Sequence, residues 1–182
     1  MAPQNTFEDS ALPHLNDLFR TAVRSLGDRA SAEDCVQETY LQAQKSFHRF
    51  EPGTNCRAWM FKILMHVIKH HRRKWYRLAP TDMDVLLSST PAATPVPSRL
   101  TDEDILDALD QIPVAFRDVV LLCDVEELSY KEIAEALGIP IGTVMSRLSR
   151  GRALLRAKLT DQFRPEPAVT PALCSPNLWS RA

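Results

Sequence analysis

Apolar residues recur three and four positions apart through most of the chain, and no stretch alternates with the period of a strand. In "LNDLFRTAVRSL", Leu15, Leu18, Phe19, Ala22, Val23 and Leu26 share one helical face, and Gly27 ends the helix. "SAEDCVQETYLQAQKSF" predicts a second helix. Ser31 is its expected N-cap, Glu33 and Asp34 sit in its first turn, and Cys35, Val36, Thr39, Tyr40 and Ala43 form its buried face. "EPGTN" at 51–55 reads as a turn. A long helix over about 57–73 follows, packed through Trp59, Met60, Ile63, Leu64 and Val67. Periodicity then fades in "LAPTDMDVLLSSTPAATPVPS", where Pro80, Pro91, Pro95 and Pro97 predict an extended linker. It resumes at "TDEDILDALDQI", with Thr101 as N-cap and Ile105, Leu106, Leu109 and Ile112 apolar. Pro113 opens another helix, carrying Phe116, Val119, Val120 and Leu121. "RPEPAVTPALCSPNLWSRA" predicts a flexible tail. The fold class expected is all-α: two small helical domains at 12–78 and 101–163, a proline-rich linker at 79–100 and a tail at 164–182.

The stretch "EIAEALGIPIGTVMSRLSRGRALL", from Glu132 to Leu155, has the marks of a helix-turn-helix. Ala134 is small where a second helix must cross closely. Gly138, four positions on, tolerates positive φ. Pro140 cannot extend the first helix and forces a corner. Val144, Leu148 and Leu155 anchor the second helix, which leaves Met145, Ser146, Ser149 and Arg150 on the opposite face, flanked by Thr143, Arg147 and Arg152. Small polar residues let a helix approach base edges, and arginines reach phosphates or guanine. The plainer reading is a helical hairpin with a solvated basic face.

Charge sharpens this division. The net charge of the 182 residues is −1, yet 57–77 and 142–158 each carry several Lys and Arg and no acid, while 101–135 is rich in Asp and Glu. Two cationic blocks in a near-neutral chain suggest two separate polyanion contacts; two solvated helix faces are the bland alternative. The first block interleaves Trp59, Phe61, Trp75 and Tyr76 with cations, the pairing on which single-stranded bases stack. Trp59 is also a candidate for the core. Apolar content of 45% is enough for an ordinary core. The cysteines at 35, 56, 123 and 174 have no CxxC spacing, and His66 and His70 lack nearby partners, so no metal site is expected. With no signal peptide or long apolar run, a cytoplasmic chain with reduced thiols and no membrane insertion is expected. No nucleophile elbow, phosphate loop or HExxH is present, so neither enzymatic activity nor a cofactor is expected.

Three segments together resemble the extracytoplasmic-function (ECF) sigma factors of bacterial RNA polymerase: "AEDCVQETYLQAQKSFHRF", "RAWMFKILMHV" and "ALDQIPVAFRDVVLLCDVEELSYKEIAEALGIPIGTVMSRLSRGRALLR". The resemblance implies that the helix bearing Asp34, Gln37, Glu38, Leu41 and Gln44 docks on the clamp coiled coil of core polymerase, with the flap as a further contact. It implies that Gly53, Thr54 and Asn55 lie near a pocket for an unstacked base of the melted −10 strand, and that Lys62, His66, Lys69, Arg72 and Arg73 follow its phosphates. Holding a flipped base offsets an unstacking cost of a few kcal/mol. Thr143, Ser146, Arg147, Ser149, Arg150 and Arg152 would read the −35 element as duplex. An anti-sigma factor is a further implied partner. The chain departs from the family pattern at Met65-His66, where Arg-Asn is common, and at His70, where an acid is common. A helix-turn-helix operator-binding regulator acting without polymerase is the alternative; its N-terminal half should be a sensing domain.

Overall fold

Gly27 adopts a left-handed backbone, φ 72°, and its amide closes helix α2 (Leu15–Leu26) on the Val23 carbonyl at 2.7 Å. The computed structural model describes residues 6–76 and 101–162, and among these all regular structure is helical. The predicted linker lies outside the described residues. So does the predicted tail.

A short helix α1 (Phe7–Ala11) precedes the predicted start of the first module. It is pinned by the Tyr40 hydroxyl, which donates to the Ala11 carbonyl at 2.8 Å. Burial pushes the Tyr40 pKa up to about 12. Helix α3 (Arg29–Ser46) begins ahead of the expected cap. Asp28, not Ser31, is its N-cap: extended at φ −137°, it accepts the Ser31 amide at 2.8 Å. A carboxylate directly after the Gly27 turn meets the orphan amides before Ser31 can. Helix α4 (Cys56–Tyr76) outruns its predicted end. Its core side is Met60, Phe61, Leu64, Met65, Val67 and Ile68, whereas Trp59 and Ile63 are only partly buried. Phe61 is therefore the core aromatic, and Trp59 joins Phe47 and Phe50 in an aromatic cluster at the module's edge. Leu15 is exposed, because periodicity marks a face without showing whether a neighbour covers its end.

The second module begins with α5 (Asp102–Asp110), capped by a reciprocal Thr101–Asp104 box as the sequence predicts for Thr101. Helix α6 (Val114–Val120) runs into a π turn over Leu121–Val125. Helix α7 (Tyr130–Leu137) has a second capping box, Ser129 with Glu132, and α8 (Ile141–Gln162) closes the module against α5, α6 and α7. Gly151 is the close-approach point. A Cβ there would stand 2.7 Å from Val120 Cγ2 and 3.3 Å from the Phe116 carbonyl oxygen.

The two modules are in contact. α4 packs along α7, α2 touches α6, and buried apolar residues run without a break from one module into the other.

Candidate nucleic-acid interface

The turn between α7 and α8 follows the sequence expectation. Gly138 is left-handed at φ 65°, the Ile139 amide donates to Ala134 at 3.1 Å, and the Thr143 amide donates to Pro140 at 2.9 Å. Val144 and Leu148 are buried, which turns Gly142, Met145, Ser146, Ser149 and Arg150 outward. Met145 is 50% exposed in the middle of this face. The Ser146 hydroxyl donates back to Thr143 at 3.1 Å, so the face stays short and smooth. Thr143 and Arg147 are half-buried at one side. Arg152 sits at the other, its Nε 3.0 Å from Asp124 Oδ2, and hydrogen bonding to that carboxylate pushes its pKa upward. Of the three arginines, Arg150 therefore projects most directly from the reading face.

The predicted strand-binding residues divide into two groups. Lys62, His66, Lys69 and Arg73 are exposed at i, i+4, i+7 and i+11, a single line along α4. Arg72 leaves that line. Its guanidinium turns inward to Asp118, Nη1 to Oδ2 at 2.7 Å, and to the Ser25 hydroxyl at 2.6 Å. The turn ahead of α4 is tight. Gly53 has φ 91°, and the Thr54 hydroxyl donates to the Glu51 carbonyl at 2.7 Å. Asn55 caps α4 by accepting the Ala58 amide at 3.2 Å, and its Nδ2 donates to Glu132 at 2.8 Å. Burial opposes the charged form of Glu132, but hydrogen bonds from Ser129 and Asn55 outweigh it and hold the pKa below the usual range. Beside this turn stand Phe47 and Phe50, stacked at 5.6 Å and 12°, with Trp59 5.2 Å from Phe50. Sequence reading did not single out Phe47 or Phe50. Their spacing from Trp59 carries no helical period, because a 3₁₀ turn at Phe47–Arg49 and the loop intervene.

Between α4 and α7 lies an open groove of about 330 Å³, lined by Trp59, Lys62, His66, Lys69, Glu135 and Gly138 among others. Lys62 Nζ reaches Glu135 at 3.6 Å across it.

A third surface runs along α3. Asp34, Gln37, Glu38, Leu41 and Gln44 are all exposed, opposite the buried Ala32, Cys35, Val36, Thr39 and Ala43. Leu41 is 51% exposed amid polar neighbours. Glu38 accepts from Gln42 at 2.8 Å, which leaves the acidic face ordered and open. Cys35, Cys56 and Cys123 are free thiols, and burial raises the pKa of each, Cys35 to about 11. Among the described residues no three of His, Cys, Asp and Glu gather in a way that suits a metal ion, and no helix is long and apolar enough to cross a membrane.

Two family models match the chain: Sigma-70 region 2 over residues 12–77 and Sigma-70 region 4 over residues 102–155. The chain is 34% identical over 164 residues to the ECF RNA polymerase sigma factor SigE of Mycolicibacterium smegmatis, covering 85% of this chain and 62% of that protein's length. It is 32% identical over 173 residues to the ECF RNA polymerase sigma factor EcfG of Rhodopseudomonas palustris, covering 91% of this chain and 93% of that one. Its fold is similar to that of the sigma factor RpoE in complex with the anti-sigma factor NepR from Bartonella quintana. The TM-score is 0.69 at 29% identity, over 86% of this chain and 98% of that one.

Proposed function

Because the chain belongs to the extracytoplasmic-function family of RNA polymerase sigma factors, alternative subunits that direct transcription initiation, we propose that its two modules divide promoter recognition between them. Residues 12–78 act as the domain that binds core polymerase and the melted −10 strand, and residues 101–163 read the −35 duplex. The observation that carries this reading is the pair of cationic helix faces on separate modules: the Lys62–His66–Lys69–Arg73 line on α4, and the Ser146, Ser149 and Arg150 face on α8. One suits a phosphate backbone tracked along a single strand, with Phe50 and Trp59 near the turn as stacking platforms. The other presents a smooth ridge, serines about an exposed Met145, with one projecting guanidinium, the form of a major-groove reader.

The α3 stripe supplies the polymerase contact. An acidic face centred on an exposed leucine suits a basic coiled-coil partner. The chain performs no catalysis itself: the polymerase does the chemistry and this subunit places it. It works in the cytoplasm, where its polymerase is, and an anti-sigma factor covering these same surfaces is its natural inhibitor. Each DNA contact is weak by itself, and the affinity comes from joining them through the polymerase. An operator-binding regulator would instead hold duplex DNA tightly alone, and its first module would be a sensing domain rather than a cation-lined helical unit.

Run-off transcription with core polymerase tests the division of labour. Arg150→Ala is expected to cost about 1–3 kcal/mol of discrimination at one upstream base pair, read as a loss of −35 preference with assembly intact. Thr54→Ala with Asn55→Ala is expected to slow promoter opening, read by permanganate reactivity of the −10 thymines, without weakening core binding. Loss of assembly in either variant contradicts the assignment.

A further inference from the structure

Two exposed apolar side chains open the reading helix. Of the large apolar residues of α8, Ile141 and Met145 are the exposed ones, at 46% and 50%, while Val144, Leu148 and Leu159 are buried. They stand at i and i+4 and so share one side of the helix, the side that continues into Ser149. A helical side chain leans over the turn that precedes it, so Met145 lies over the turn of Ile141 and Gly142. Gly142 leaves that turn slim: a Cβ there would meet nothing within 4 Å. The two side chains therefore form one apolar strip at the leading end of the helix. Apolar residues scattered singly over a surface are ordinary. An adjoining pair on the proposed reading face bears on what that face reads.

Side-chain donors are scarce in the same two turns. Ile141, Gly142 and Met145 have none. The Ser146 hydroxyl spends its proton on the Thr143 carbonyl at 3.1 Å, and Thr143 is half-buried at one side. Ser149 and Arg150 are the first outward-facing side chains beyond them that can donate to a base. In the major groove a base edge offers acceptors, donors or, at thymine, an apolar 5-methyl group. An apolar strip without donors matches that methyl and none of the other features. The helical rise sets Ile141 and Met145 about 6 Å apart along the axis, close to two base steps of about 3.4 Å each. A protein partner fits the strip less well. Specific protein interfaces bury about 800 Å² on each side, whereas two side chains bounded by Ser146, Ser149 and Arg150 supply a small fraction of that.

We propose that Met145, with Ile141 beside it, is a specificity-determining residue that selects thymine in the duplex by its 5-methyl group. The inference rests on the reading of α8 as the helix that meets the −35 element.

Replacing thymine by uracil removes the methyl and keeps every hydrogen-bonding group of the base. Templates recovered from an upstream-randomised library by holoenzyme carrying the full-length chain are rebuilt with deoxyuridine at each upstream thymine in turn, on either strand. The thymine and uracil forms then compete for holoenzyme. Wild type is expected to lose about fourfold in affinity at one or two positions, which is ~0.8 kcal/mol, the transfer value of one buried methyl-sized group. Met145→Ala is expected to weaken the all-thymine template by a similar factor and to bind the two forms about equally. Ile105→Ala, which trims an exposed apolar residue of α5, keeps the wild-type ratio. The wild-type comparison needs no variant. Equal affinity of wild type for both forms, recovered upstream elements without thymine, or unchanged discrimination in Met145→Ala overturns the inference. So does a Met145→Ala variant whose affinity for core falls while its thymine preference stays, the mark of a protein contact. Binding indifferent to upstream sequence overturns the inference together with the duplex reading of α8, whereas upstream preference without methyl sensitivity overturns the inference alone.

Discussion

Asp34→Lys combined with Glu38→Lys is expected to weaken binding to core polymerase at least a hundredfold and to leave the fold unchanged. Both residues are exposed on α3, on the side away from Ala32, Cys35, Val36 and Ala43. The one side-chain contact at stake is the Glu38–Gln42 hydrogen bond, itself exposed. Surface changes of this kind stay within about 0.5 kcal/mol of wild-type stability, and lysine is a good helix former. An interface behaves differently. Placing two ammonium groups where a basic partner expects carboxylates costs several kcal/mol through like-charge contact, and a hundredfold is about 2.7 kcal/mol. Leu41 sits beside them as the apolar centre of the patch, so Leu41→Asp should act in the same direction. Fluorescence anisotropy of labelled protein titrated with core measures the affinity, with a thermal melt as the control. Unchanged affinity in the double variant removes α3 from the polymerase interface.

Gly151→Leu is expected to destabilise the second module by about 3 kcal/mol or more and to abolish duplex reading with it. Glycine within a helix ordinarily costs about 1 kcal/mol relative to alanine, so at an open position a larger residue would stabilise. Here α8 crosses α6 at this residue. Even a Cβ would stand 2.7 Å from Val120 Cγ2, and the Phe116 carbonyl at 3.3 Å is backbone that cannot rotate away. Overpacking a close-packed core costs about 1–3 kcal/mol, more when the neighbour is rigid. A leucine must push α8 off α6, which loosens the Val144 and Leu148 anchors that orient Ser146, Ser149 and Arg150. Urea unfolding of the full chain reads the loss. A midpoint equal to or above that of wild type contradicts the packing. Gly151→Ala should lie between the two.

How much of this was legible beforehand follows from what periodicity encodes. The helix-turn-helix was readable because its constraints are local: Ala134, Gly138, Pro140 and Val144 lie within eleven positions, and each meets a backbone or packing demand of the turn. The buried face of α3 was readable for the same reason, since one period joins Cys35, Val36, Thr39 and Ala43, whereas Asp34, Glu38 and Leu41 were named through the family resemblance. Phe61 and Trp59 came out in reversed roles because Phe61 falls inside the buried stripe of Met60, Leu64, Met65 and Ile68, whereas the Phe47–Phe50 pair, placed by an irregular turn, holds Trp59 at the module's edge. Gly151 carries no local mark, because what constrains it is Val120 and the Phe116 carbonyl on α6, some thirty positions earlier in the chain. The pairs Thr21–Glu126 and Ser25–Asp118 join residues 105 and 93 positions apart. No local pattern marks such a contact, and within their own helices these residues pass as ordinary small polar and acidic side chains.

Run-off transcription by core polymerase with the purified full-length chain, on a library of randomised upstream sequences, tests the central claim most directly. Two contacts on two modules, held apart by the polymerase, should yield transcripts only when chain and core are combined, from templates that share two elements about two helical turns apart. Core that ignores the chain, together with tight sequence-specific duplex binding by the chain alone, would contradict it.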